Sequence, residues 1–347
     1  MSASAKSDQI IEPGPQPELP WADEDAALEA PAEWRQAPVG TGEHGQRLDR
    51  ALTVLVPEFS RSYLQQLIEA GAVQCNGRVQ TRSASKVKVD DVLGVELRPT
   101  PQSLAFHAER MDLSVVHEDE HMLVIDKPAG LVVHPAAGHW SGTLLNGLLA
   151  HHALARALPR AGIVHRLDKD TSGLMVVAKT RAAMDALVQA IAQRRVRRQY
   201  LALAHRSWQG AQELRVDVPI GRDPRQRTRM AVVDLQHQSG KSASTDVRCL
   251  ATAVQASFLH CQLHTGRTHQ IRVHLMHLGH PILADELYGG QALAGMRRQA
   301  LHAWRLSLDH PIGGQAMSWQ SPLPPDIAQA LHSLQLGPQP PGEAALQ

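Results

Sequence analysis

The chain has 347 residues, 43% of them hydrophobic but only 3% aromatic, and a formal net charge of +1. That length suits two or three domains with cores built mainly of Leu, Val, Ile and Ala. No apolar run reaches the roughly 18 residues of a membrane helix, and no apolar segment follows Met1 as in a signal peptide. Cys75, Cys249 and Cys261 lack the spacing of a disulfide framework or a structural zinc site, so a reduced, soluble, cytoplasmic protein is expected.

Residues 1–44 carry nine acidic against two basic side chains and six prolines, without a sustained period, and are expected to be a disordered tail. Removing that tail leaves a net charge of +8 on the remainder, which points to a polyanionic partner. Residues 45–100 read as a small domain. Leu48, Ala51, Leu52 and Leu55 recur at helical spacing. Ser60 is an N-cap candidate for a second helix bearing Tyr63, Leu64, Leu67 and Ile68, and Gly71 ends it. Asn76-Gly77 between short apolar runs is a hairpin signal, and Lys86 to Leu97 alternates as a returning strand.

Residues 108–336 form a second domain, followed by a flexible tail at 337–347. Val115-Val116 and Leu123-Val124-Ile125 read as a hairpin. Helices are expected at 143–155, 181–193, 268–278 and 326–335. Strands are expected at 174–179, 198–204, 213–218, 244–251, 256–263 and 301–308. The fold class is α+β, mixed and mainly antiparallel, without βαβ regularity. No GxGxxG or Walker motif argues for a nucleotide cofactor.

Two polar clusters could carry chemistry. Gly162-Ile163-Val164-His165-Arg166-Leu167-Asp168-Lys169-Asp170-Thr171-Ser172-Gly173 sits before a long apolar strand, as a loop on a rigid scaffold would. Its bland reading is a polar turn in which Asp168 or Asp170 caps backbone N–H groups, and spacing does not say which Asp is reactive. Thr265-Gly266-Arg267-Thr268-His269-Gln270 enters a helix, where a glycine turn leaves N–H groups suited to an anion. His274, His277 and His280 lack a companion carboxylate at ligand spacing, so no metal is expected.

These blocks carry a resemblance. The 45–100 region, with Gln46-Arg47-Leu48-Asp49, Ser60-Arg61-Ser62 and Asn76-Gly77, resembles the S4 RNA-binding domain. GIVHRLDKDTSGLMVVAKT at 162–180 is similar to the signature of the RluA family of pseudouridine synthases. Asp126-Lys127-Pro128-Ala129-Gly130, Arg198-Gln199-Tyr200-Leu201-Ala202 and TGRTHQIRVH at 265–274 agree in order, as do Tyr288-Gly289-Gly290 and Arg298 to Ala303. The resemblance implies isomerisation of uridine in RNA, without a cofactor. It implies Asp168 as nucleophile, Tyr200 stacking on the flipped uracil, Arg272 paired with Asp168, and Leu301 packed beside the base. Arg166 would fill the space the nucleotide vacates, and His165 would line the substrate site. Within the family the wording is closest to the D-type branch, which acts on a 23S ribosomal RNA stem-loop at the subunit interface. The C-type branch and an RNA-binding assembly factor are the alternatives. Arg47, Arg50 and Arg61 are the expected RNA contacts of the small domain. Arg194, Arg195, Arg197, Arg198, Arg222, Arg225, Arg227, Arg229 and Arg267 are the candidates in the second. The partner is expected to be 23S RNA or the large ribosomal subunit, bound by a monomer.

Overall fold

A computed structural model describes residues 33–57, 59, 61–97, 106–136, 139–226 and 228–337. It divides into two units, 1–100 and 101–347. In the first, strand β1 (Glu33–Pro38) precedes helices α1 (Leu48–Leu55) and α2 (Arg61–Glu69) and strands β2 (Val73–Cys75), β3 (Arg78–Gln80) and β4 (Val92–Leu97). The helical spacing has the expected effect: Leu48, Ala51 and Leu52 of α1 and Leu64, Leu67 and Ile68 of α2 are buried against Val73, Leu93 and Val95 of the sheet. Asn76 and Gly77 both take positive φ, as the tight hairpin between β2 and β3 requires. Ser60, the expected N-cap, lies outside the described residues.

Two expectations are corrected here. Residues 33–38, assigned to the tail, pair antiparallel along the whole of β4, and the Trp34 ring occupies the space a side chain on Gly94 would need. Alternation over so short a segment, next to acidic sequence, gave too little signal. The returning strand also starts only at Val92. Asp90 has a φ of 67°, and the Asp91 carboxylate accepts the Lys88 N–H, so the chain turns before it pairs.

The second unit contains, in order, β5 (Val115–Glu118), β6 (Met122–Lys127), α3 (Leu144–His151), β7 (Ser172–Ala178), α4 (Arg181–Ala192) and β8 (Arg197–His205). Strands β9 (Glu213–Asp217), β10 (Ile220–Arg222), β11 (Met230–Val232), β12 (Gly240–Lys241), β13 (Ser244–Thr252) and β14 (Ala256–Leu263) follow. Helix α5 (Gln270–His277), β15 (Leu301–Asp309), β16 (Ala316–Gln320) and α6 (Pro325–Ser333) complete it. The principal sheet runs β5-β6-β7-β15-β8-β14-β13-β9, with β16 on β15. Every pairing in it is antiparallel except β7 with β15. Strand β7 is buried at every position because both faces are covered. Leu174, Val176 and Ala178 pack with Ala183 and Leu187 of α4, while Met175 and Val177 join the larger core with Leu144 and Leu148 of α3.

The short strands β10, β11 and β12 form a separate three-stranded sheet. They and β16 are too brief or too polar to be read by period. The parallel contact of β7 with β15 depends on Gly173, whose φ is 113°. A Cβ there would lie 2.2 Å from the Ala303 carbonyl oxygen. This close approach aligns the starts of β7 and β15, and so the loop before Ser172 with Leu301.

Candidate active site

The loop ahead of β7, the start of β15, strand β8 and the N-terminal end of α5 surround a cavity of about 730 Å3. That volume suits a small ligand or a single nucleotide. Asp168 is the one carboxylate among its described lining residues, with Arg166, Arg198, Tyr200, Arg267, His269, Arg272 and Leu301 around it. Asp170 is not in the lining, and its backbone carbonyl accepts at 2.9 Å from Arg298, which pairs with Asp326. Tertiary placement thus separates two aspartates that spacing could not.

Asp168 accepts a hydrogen bond from Arg272 Nη1 at 3.0 Å. The other edge of the same guanidinium donates from Nε and Nη2 to Asp285, at 2.7 and 2.8 Å. Asp285 is almost fully buried, so the fork is fixed from behind and Nη1 is aimed at Asp168. Burial opposes the Arg272 charge, but the bonds to Asp285 and the charge of Asp168 outweigh it and hold the pKa above its ordinary value. The Tyr288 ring closes the stack, its centroid 4.9 Å from the guanidinium carbon. Its hydroxyl meets His269 Nδ1 at 2.8 Å and accepts the Met230 N–H at 2.9 Å. His269 adopts a φ of 57°, with Nε2 3.9 Å from Asp168. Burial lowers its pKa, the nearby Asp168 charge opposing that, which favours the neutral ring.

The turn that carries Asp168 is anchored from below by Lys127. This lysine is 1% exposed and donates to the carbonyls of Pro128, Leu131 and Lys169 at 2.8, 2.9 and 2.9 Å. Burial pushes its pKa down to about 8, opposed by Asp170 and Asp168. Gln270 fastens the other wall, accepting from Thr265 Oγ1 and the Arg267 N–H and donating to the Ser244 carbonyl. Tyr200, on β8, is buried, and that burial pushes its phenol up to about 12, so it presents a neutral ring.

The expected residues fall into three groups. Asp168, Arg272, Tyr200, Leu301, Arg166, His165, Arg198 and Arg267 all line the cavity. Within that group, His165 Nε2 accepts the Val176 N–H at 3.1 Å, and Arg267 Nε donates to the Ser242 carbonyl. Arg194 also lines the cavity, whereas Arg195, outside the lining, is exposed and bonded to Gln193, and Arg229 pairs with Asp223. Arg227 lies outside the described residues. In the small unit, Arg47 and Arg61 both bond the buried Asp49 carboxylate, at 3.1 and 2.9 Å, with about half of each side chain still exposed. Arg50 is exposed. Asp285, Tyr288 and the anchoring role of Lys127 were not singled out by sequence reasoning. The only signal was the acidic pair Asp285-Glu286 ending an apolar stretch before the Tyr288-Gly289-Gly290 turn. His274 bonds Thr245 and the Val218 carbonyl, while His280 bonds the His205 carbonyl, so the spaced histidines do not converge.

Hydrolytic cleavage of a glycosidic bond ordinarily uses two carboxylates, one of them to activate water. A cavity with one carboxylate, a neutral aromatic face and a fixed guanidinium instead suits an enzyme that breaks a nucleoside bond and keeps the base. That is the chemistry implied by the motif resemblance of 162–180 and 265–274, whose residues meet in this cavity.

Residues 121–277 match the RNA pseudouridylate synthase family, and residues 46–93 match the S4 domain. The chain is 48% identical over 298 residues to the ribosomal large subunit pseudouridine synthase D of Nitrosomonas europaea, covering 84% of this chain and 85% of that one. It is 46% identical over 305 residues to the enzyme of the same name from Neisseria meningitidis serogroup B, covering 84% and 79%. A solved human structure, RNA pseudouridylate synthase domain containing 4, shares the fold with a TM-score of 0.52 at 24% identity. That match covers 65% of this chain and 94% of the human one. The chain belongs to the pseudouridine synthase family and carries an S4 domain ahead of its catalytic domain. No helix among the described residues is long and apolar enough to cross a membrane.

Proposed function

We propose that this enzyme converts uridine to pseudouridine in the 23S RNA of the large ribosomal subunit, with Asp168 as the nucleophile. The observation that carries the reading is the Asp168–Arg272–Asp285 constellation in a cavity with a single carboxylate. The target is supported by relatives named for the large subunit across most of the chain.

In this reading the target uridine leaves its stack and enters the cavity. Flipping costs a few kcal/mol, least for an unpaired nucleotide, and stacking on Tyr200 returns about 1–3 kcal/mol. Arg166 occupies the vacated space, while Leu301 and His165 border the base. A carboxylate oxygen of Asp168 attacks ribose C1′, or removes a ribose proton. The C1′–N1 electron pair departs with uracil, the base turns, and C5 bonds C1′ as the Asp168 carboxylate leaves C1′ or, on the second route, returns its proton to the ribose. The C5 proton is then lost and N1 gains one, so the reaction is an isomerisation. Arg272, fixed by Asp285, orients the carboxylate throughout. Arg47, Arg50, Arg61, Arg195 and Arg267 supply phosphate contacts.

Release of tritium from 23S RNA labelled at uridine C5 tests this. Wild type should release tritium, and Asp168→Asn at matched folding should not. Release by both proteins would remove Asp168 from the nucleophile's role. Release by neither would remove this RNA as substrate.

A further inference from the structure

Arg198 is out of character for a phosphate contact on a basic surface. It lies on the central strand β8, two residues before Tyr200 and hence on the same face, and is only 6% exposed. Among the described residues no carboxylate pairs with it. Its Nε is buried without a hydrogen-bond partner. Nη1 packs against the Thr265-Gly266-Arg267 turn, where a Cβ on Gly266 would come within 2.8 Å of it. Burial lowers the pKa of this side chain, a sign of the desolvation it bears. Beside it, His165 accepts the Val176 N–H through Nε2, which assigns the remaining proton to Nδ1, and Nδ1 is likewise buried without a partner.

A buried cation without a counter-ion is costly to the fold, and a fold retains one where a ligand completes it. The other charges of the site do not complete it. Arg272 already answers both Asp168 and Asp285, and that trio carries a net charge of −1. Tyr200 is neutral. Of the other lining arginines, Arg160, Arg166 and Arg194 are exposed to water and Arg267 is half-buried, so the buried cation without a counter-ion is Arg198, next to the ring on which the base would stack.

We propose that Arg198 is a further catalytic residue, contacting the target uracil and stabilising the negative charge the base acquires when its bond to ribose breaks. When the C1′–N1 bond breaks, its electron pair leaves with uracil and spreads over N1, O2 and O4. A guanidinium in a water-poor cavity is matched to that spread charge and not to the neutral base of the ground state. When C5 bonds C1′ the charge returns to Asp168, and Arg198 is again unpaired. The alternative partner for the same cation is a phosphate, whose charge is present from binding onward.

This inference rests on the proposed reaction, so wild type in the same tritium assay is the control. If wild type is inactive, the function fails before Arg198 is tested. With wild type active, single-turnover rates at saturating RNA are compared with RNA affinity. Arg198→Met should slow the chemical step about 10²-fold or more, with affinity within twofold. Its melting temperature should be unchanged or higher, because a desolvated charge has been removed. Arg198→Lys should recover part of the rate. RNA carrying 5-fluorouridine at the target, whose base is the better leaving group but has no C5 hydrogen to release, is followed instead by loss of the 5-fluorouridine nucleoside on digestion, and should show a smaller loss of rate with both variants. Weakened affinity with an unchanged saturated rate would make Arg198 a phosphate clamp and overturn the proposal. So would equal losses on the two substrates, as expected of general damage to the fold.

Discussion

Both units of this enzyme contain a buried knot of arginine and aspartate, built in opposite proportions. In the S4 unit one fully buried carboxylate, Asp49, holds Arg47 and Arg61, and each arginine keeps about half of its side chain in solvent. In the catalytic unit one buried guanidinium, Arg272, holds two carboxylates, Asp168 and Asp285. The first knot has a surplus of positive charge and displays it outward, as a surface meant for phosphates should. The second has a surplus of negative charge and turns one carboxylate into a cavity. In the proposed reading, the same pair of residue types serves binding or chemistry according to which member is buried and which is left in excess.

That contrast can be broken at its buried centres first. Asp285→Ala leaves Arg272 buried with a single partner, a change that costs about 3–5 kcal/mol. It also frees the guanidinium to turn away from Asp168. Chemical denaturation should report the loss of stability, and single-turnover tritium release should fall even where the protein is fully folded. Asp49→Ala releases two arginines that can reach water, so the expected cost is smaller, about 1–2 kcal/mol. RNA affinity should weaken while the saturated rate is kept. A loss of rate at saturation would show that the two knots are not separate in function.

Arg50→Ala probes the outward side alone. It should weaken binding of all RNA sequences alike and lower the salt dependence of log Kd by about one unit, with no change in melting temperature.

The smallest effect is on the tyrosines. Burial pushes Tyr200 and Tyr288 up to about 12 and raises Tyr63 as well, and these are the protein's three tyrosines. In the unfolded chain they lose protons near pH 10, but in the native protein only above it. The folded state therefore binds more protons between these values, and stability falls as pH rises past about 10. Absorbance titration should show little phenolate in the native protein at pH 10 and nearly half-ionised tyrosine once it is unfolded. Native phenolate at ordinary pH would mean that Tyr200 is not sealed in its cavity.

Much of this was legible in the chain because it is local. Helical spacing over 48–68, the Asn76-Gly77 turn and the apolar run at 174–178 each depend on neighbours within a few residues, and each element formed near its expected place. The edge strand at 33–38 was not legible, since its only reason to be a strand is a partner some sixty residues away. The motif blocks likewise gave roles to Asp168, Tyr200 and Arg272 but none to Asp285 or Tyr288, whose parts consist of contacts made across the fold.

The amino-acid sequence by itself determined the two domains, their main elements and the family's motif residues, because propensity, turn chemistry and period act along the chain. Which aspartate entered the cavity, and which arginine was buried there without a carboxylate, was decided only by the tertiary structure. Asp168 and Arg272 stand 104 residues apart and meet at 3.0 Å. Arg198, which in the chain looks like one more member of a basic run, became a buried cation because β8 lies at the centre of the sheet. Charge is written residue by residue, but the desolvation and pairing that give it a chemical role exist only once distant segments are packed together.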